Sequence, residues 1–111
     1  MTLLTTPQPA DRILDALGNQ VRRDILMLLR EHPLTVGAIA GQLPISRPAV
    51  SKHLRILQEA GLVAYNIRGT SNIFHLRPAG FGDLKRYLDL FWDEALENFK
   101  RAAEESNEGE P

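Results

Sequence analysis

Apolar residues recur along this chain at steps of three and four in five separate stretches, with two short β-rich runs near the middle. The first stretch puts Ile13, Leu14 and Leu17 on one face of a short helix, Asp11–Leu17, with Gly18 as its stop. Asn19 suits the N-cap of a second helix, Gln20–Glu31, in which Val21, Ile25, Leu28 and Leu29 share a face and which Pro33 ends. Thr35 caps a third, Val36–Leu43, that buries Val36, Ile39, Ala40 and Leu43. After a turn at Leu43-Pro44-Ile45, Ser46 caps a fourth helix, Arg47–Ala60, where Pro48 falls in the first turn and costs no intrahelical donor. Gly61 is its left-handed stop. The β-rich runs Val63–Ile67 and Ile73–Leu76 flank Arg68-Gly69-Thr70-Ser71-Asn72, a hairpin turn with glycine where a positive φ is needed. Pro78 and Gly80 break the chain, and a long helix follows from Phe81 to Glu105.

A short helix, a tight turn and a longer helix make a helix-turn-helix, and the hairpin directly behind it makes a wing. The predicted fold is mainly α, a winged helix-turn-helix of about five helices with a two-stranded β-hairpin wing between the fourth and fifth. One domain spans residues 10–105. A flexible arm, 1–9, precedes it, and an acidic disordered tail, 106–111, follows.

The fourth helix has two distinct sides. Val50, Leu54 and Leu57 fall on one, and Pro48, Ser51, Lys52, Arg55 and Glu59 on the other. The apolar stripe must pack on the second and third helices, which leaves a small, basic face outward. A helix that enters a major groove about 12 Å wide needs such a face, because bulky outward residues would keep it out. Arg47 and Arg55 can offer paired donors to guanine, Ser51 can reach a base edge or a phosphate, and Lys52 suits a phosphate. The candidate DNA-binding residues are Ser46, Arg47, Pro48, Ser51, Lys52 and Arg55 on the helix, with Arg68, Thr70 and Ser71 on the wing. Taken alone, the helix also fits an ordinary amphipathic surface element with a solvated polar face. The short helix before it and the wing behind it favour double-stranded DNA.

Charge is distributed to match. The formal net charge is −1. Residues 20–77 hold eight basic side chains against three acidic ones, and residues 78–111 hold four against nine. A neutral total with a basic middle suits a protein that meets a polyanion with one face.

The last helix carries a broad apolar stripe. Phe81, Leu84, Leu88, Phe91, Trp92, Ala95 and Phe99 recur at steps of three and four, and Leu90 and Leu96 widen it. That exceeds what a terminal element of a five-helix monomer needs. Those seven residues are therefore the expected interface with the same helix of a second copy.

Other chemistries find little support. The absence of cysteine excludes a disulfide framework and thiolate metal ligands. His32, His53 and His75 have no metal-ligand spacing. Asp89, Asp93 and Glu97 share a helix face, but Arg86, Lys100 and Arg101 stand near enough to balance them. No nucleophile set, phosphate loop or paired-acid motif stands in a recognisable context, so no enzyme and no cofactor is expected. No apolar run is long enough for a bilayer, and the N-terminus lacks the features of a secretory signal, which points to the cytoplasm.

The block Ser46-Arg-Pro-Ala-Val-Ser-Lys-His-Leu-Arg-Ile-Leu-Gln-Glu-Ala-Gly-Leu-Val63 closely resembles the recognition-helix segment of ArsR/SmtB-type winged-helix repressors. The likeness extends upstream to Ala16-Leu17-Gly18-Asn19 and Arg22-Arg23-Asp24-Ile25-Leu26, and downstream to Arg68-Gly69 and Phe74-His75-Leu76. It implies a homodimer that represses promoters by occupying an inverted repeat and that an inducer or a metal releases. Metal-sensing members often carry a Cys-Val-Cys-type motif in the third helix, where this chain has Val36-Gly-Ala-Ile-Ala-Gly-Gln42. Others bind zinc through Asp and His on a last helix, which here has no histidine. The chain is thus similar to a cysteine-poor branch, with no metal site expected and the effector open. Two other readings are a winged-helix module that binds proteins and a metal-responsive repressor with a non-standard site.

Overall fold

The computed structural model describes residues 9–108. In chain order the elements are α1 (Pro9–Leu17), α2 (Gln20–Glu31), β1 (Leu34–Thr35), α3 (Val36–Ala40), α4 (Arg47–Glu59), β2 (Val63–Arg68), β3 (Ser71–Leu76) and α5 (Pro78–Glu108). The expected arm at 1–9 lies outside the described residues except for Pro9, which opens α1. The expected tail at 106–111 begins inside α5, which stays helical to Glu108, and its last three residues lie outside the described part.

The helix starts follow local side-chain chemistry. Asn19 Oδ1 accepts from the Arg22 amide at 3.1 Å, Thr35 Oγ1 from Ala38 at 3.1 Å and Ser46 Oγ from Ala49 at 3.3 Å. Each satisfies a donor that the first turn of a helix leaves open. The ends are less regular. Gly18 keeps a negative φ, and two arginines of α2 take over the closing of α1. Arg22 donates through Nε to Ala16 O at 2.8 Å and through Nη2 to Asp15 O at 3.2 Å, while Arg23 Nη1 donates to Leu17 O at 2.7 Å. α3 stops at Ala40 rather than Leu43. The amides of Gln42 and Leu43 fall back to carbonyls three residues earlier, and Pro44 disfavours the helical conformation at Leu43.

The sheet has three strands rather than the two of a simple hairpin, in the order β1-β3-β2, all antiparallel. Leu34 pairs with Phe74 and Thr35 with Ile73, so the chain leaving α2 runs along the free edge of β3. Two residues are too few to show an alternating pattern, and β1 was therefore invisible in the sequence. Tyr65 stands opposite Phe74 with ring centroids 5.3 Å apart, and Gly69 turns the hairpin at φ 60°.

The core lies between α1, α2, α4 and the base of the sheet. Ile13, Ile25, Ile39, Leu54, Leu57 and Leu62 are among its fully buried side chains. On α1 the buried stripe runs Ala10, Ile13, Ala16, and Leu14 faces out instead of in.

α5 begins three residues earlier than its apolar pattern indicated. Pro78 is its first residue, where the missing amide costs nothing. Gly80 therefore sits inside the helix, buried, with its Cα over the carbonyl of Gly61, and a Cβ there would overlap that backbone. Gly61 itself has φ 79° and closes α4. This close approach seats Phe81 and Leu84 half-buried against the core. Gly80→Ala should lower the unfolding free energy by about 1–3 kcal/mol, since backbone, not a pliable side chain, blocks the methyl group. Elsewhere in a helix the same change is worth a gain of about 0.5–1 kcal/mol. Urea unfolding of the two proteins reads the sign directly.

Candidate nucleic-acid interface

α4 buries Val50, Leu54 and Leu57, each 1% exposed or less, as the three- and four-residue spacing requires. Its opposite side carries Ser46, Arg47, Pro48, Ser51, Lys52 and Arg55, and every one is exposed. Arg68, Thr70 and Ser71 on the wing are exposed as well. Among the described residues, Arg47, Lys52, Arg55 and Arg68 form no salt bridge and no side-chain hydrogen bond. Three cations on the outward face of α4 and one on the wing thus keep their donors for an outside partner.

The structure brings some of these residues together and separates others. A concavity of about 290 Å³ gathers Arg47 with Thr70 and Ser71 at the wing tip, and adds Thr35, Gly37 and Asn72. Arg68 belongs to a different hollow, of about 400 Å³, with Pro33, Asn66, Ile73 and His75. The register accounts for that hollow, because Asn66 pairs with Ile73 and Arg68 stands two residues beyond Asn66. Thr35, Gly37 and Asn72 were not among the expected contacts. Gly37 left one trace in the sequence, because a glycine inside a short helix signals a close approach.

The basic count of the middle segment overstates the charge on offer. Arg22 and Arg23 are spent on the carbonyls of α1. Arg22 also reaches α4, with Nη1 3.3 Å from Nδ1 of His53. A guanidinium only donates, so Nδ1 must be the unprotonated acceptor. Burial, then the Arg22 guanidinium, then the Lys52 ammonium hold the His53 imidazole below its ordinary value.

The remaining candidates are placed as follows. His75 Nδ1 stands 3.1 Å from the Leu76 carbonyl. Among the described residues no three His, Asp or Glu side chains gather in a way that could hold a metal ion. Asp89 pairs with Lys85 at 2.9 Å one turn away, and this carboxylate raises the lysine above its usual range. No described helix is long and apolar enough to cross a membrane.

The seven residues expected on the α5 interface divide into two groups. Phe81 and Leu84 pack on the chain's own core. Leu88, Phe91, Trp92, Ala95 and Phe99 are exposed, with Phe91 at 64% and Phe99 at 73%. The radius of gyration is 19.5 Å, against about 13 Å for a compact domain of about 100 residues. Most of α5 therefore stands away from the body that carries it.

Comparison with known proteins places this geometry. Residues 19–65 match the family described as bacterial regulatory protein, arsR family. The chain is 42% identical to the HTH-type transcriptional regulator Rv2034 of Mycobacterium tuberculosis, over 86% of this chain and 90% of that protein. It is 36% identical to the transcriptional repressor SdpR of Bacillus subtilis, over 53% of this chain and 66% of that one. The solution structure of the homodimeric winged helix-turn-helix DNA-binding domain of Mb0332 from Mycobacterium bovis, a possible ArsR-family regulator, is similar with a TM-score of 0.64. That match is at 29% identity and covers 87% of each chain.

His53 gives this face a pH dependence with a definite sign. The unfolded imidazole takes up its proton near pH 6.5 and the folded one only at lower pH. Between those values the unfolded state binds more protons, so stability falls as pH falls through that window. Thermal unfolding between about pH 7.5 and 5 should show that loss in the wild type and a flatter profile in His53→Gln. Equal slopes would mean that the imidazole is not perturbed.

Proposed function

The chain belongs to the bacterial ArsR family of transcriptional regulators, and from that premise we propose that it is a homodimeric repressor of an inverted-repeat operator in double-stranded DNA. One observation carries the reading. The outward face of α4 bears unpaired cations and small side chains directly beside a wing whose tip shares a hollow with the start of that helix. α4 enters the major groove, Arg55 reads guanine and Lys52 holds a phosphate. Arg68, on the other side of the wing, reaches the backbone or the minor groove next to the site. Members of the family are regulators rather than enzymes, and the protein acts in the cytoplasm, where its operator is. Repression is steric exclusion of polymerase, a role that the likeness to SdpR supports.

The exposed part of α5 supplies the second half of the mechanism. Leu88, Phe91, Trp92 and Phe99 form an apolar face that nothing among the described residues covers. A second copy covers it and holds two recognition helices about 34–36 Å apart, one turn of the duplex. The homodimeric state of the Mb0332 domain supports this arrangement.

Two predictions follow this assignment. Arg55→Ala should cost about 1–3 kcal/mol per half-site and relax the specificity, whereas Lys52→Ala should weaken binding to all sequences and reduce the salt slope by about two, one for each subunit. Fluorescence anisotropy at several salt concentrations separates the two effects, and two unaffected variants would mean that another surface binds DNA. Leu88→Glu places a carboxylate on the two-fold face at a site already 46% exposed in one chain, so the variant should fold. Burying that charge against its mate costs several kcal/mol, more than a small interface can lose. Sedimentation should find a folded monomer, and the same sample should have lost high-affinity operator binding.

A further inference from the structure

Arg47 does not stand out from α4 as a base-reading side chain does. Its guanidinium lies back across α3. A Cβ built on Gly37 would come 2.5 Å from Nη2, 3.0 Å from Cζ and 3.4 Å from Nε, so most of the fork rests on that glycine. No carboxylate holds it there, and it makes no side-chain hydrogen bond within the described chain. The position puts a cation with five donors under the wing tip, in the hollow it shares with Thr70, Ser71 and Asn72. The residues lining the hollow bring hydroxyls, an amide and one positive charge, with no acidic side chain. Its volume, about 290 Å³, takes a phosphate group with room for water. It also lies where the start of α4 meets the wing, and the outward residues Ser51, Lys52 and Arg55 do not line it. Backbone phosphates run along the rim of a groove, and base edges line its floor.

We propose that this hollow seats one backbone phosphate of duplex DNA, gripped by Arg47 beneath the wing tip, and that Gly37 is the positioning residue that leaves room for the guanidinium. The inference rests on the DNA-binding reading and refines it. Arg47 becomes a sequence-independent clamp, and base reading passes to Arg55. Any side chain at position 37 displaces the fork, because the methyl group and the guanidinium claim the same space.

The test uses the full chain, with anisotropy titrations on an operator selected from genomic fragments and on a short duplex of unrelated sequence, between about 50 and 200 mM salt. Arg47→Ala should weaken both duplexes by the same factor, about tenfold or more, and lower the salt slope by about two, one for each subunit. Gly37→Ala should cost part of that loss, because it shifts the guanidinium without removing it, and should add less than about twofold in the Arg47→Ala background, since it acts only through Arg47. Gly41→Ala adds the same methyl group just past the other end of α3, at an ordinary 3.4 Å from the Gly37 carbonyl, and should leave binding unchanged. Asn72→Asp is nearly isosteric and keeps the question answerable if Gly37→Ala unfolds. Its new charge should cost about tenfold, and less once Arg47 is absent. Inorganic phosphate at constant ionic strength should not displace the duplex. Loss on the operator alone in Arg47→Ala would make Arg47 a base reader and overturn the proposal. So would additive effects of Gly37→Ala and Arg47→Ala, or displacement by free phosphate that depends on Arg47. A wild type that binds neither duplex would overturn the DNA-binding reading itself, whereas the other refuting outcomes leave that reading in place.

Discussion

Everything on the outer side of this molecule depends on how α4 is held from the inner side. Val50, Leu54 and Leu57 are removed almost completely from water, and each is worth roughly 1.5–3 kcal/mol in burial. A helix fixed by three such anchors has no freedom to roll. The same 100° step that buries them therefore decides that Ser51, Lys52 and Arg55 face away from the core. The outward residues contribute nothing to that placement. They are free to be small, cationic and unpaired because the buried stripe does the orienting.

Two glycines set distances that the helices alone would not. Gly80 lets the first turn of α5 rest on the backbone at Gly61, and Gly37 lets a guanidinium rest on α3. Both replace a side chain by direct approach, one of backbone to backbone and one of side chain to backbone. The first joins the long helix to the base of the sheet. The second lets the Arg47 side chain, at the start of α4, lie against α3. Room for the Arg47 guanidinium and a close mount for the C-terminal helix both arise from an absent methyl group.

Much of this was legible in the sequence, for physical reasons that can be named. The three N-caps Asn19, Thr35 and Ser46 act within three residues of themselves, and the apolar stripe of α4 is a local periodicity. Gly61 and Gly69 reveal positive φ because few other residues accept it. What escaped depends on contacts between distant segments. β1 is strand only because β3 offers it an edge. Arg22 looked like part of a basic surface, and its commitment to α1 and His53 needs three elements already in place. Phe81 and Leu84 belong to the same stripe as Phe91 and Phe99, and only the seating of Gly80 tells the two pairs apart. Of the site, the nine expected residues are all exposed, but the separation of Arg68 from Arg47, Thr70 and Ser71 into a second hollow follows from the hairpin's register and not from composition.

The length of α5 has a consequence for dosage. Thirty-one residues of helix extend from a body that covers only the first turns, which leaves a row of aromatic side chains in water in any single copy. In a pair built on that row, covering the aromatic face and assembly are one event, governed by mass action. Well below the dissociation constant of the pair, the species competent for two half-sites grows as the square of the number of chains made. A twofold change in synthesis then becomes a fourfold change in dimer concentration, and in occupancy while the operator is mostly empty. The promoter would be silenced over a narrow interval of protein abundance, with no effector involved.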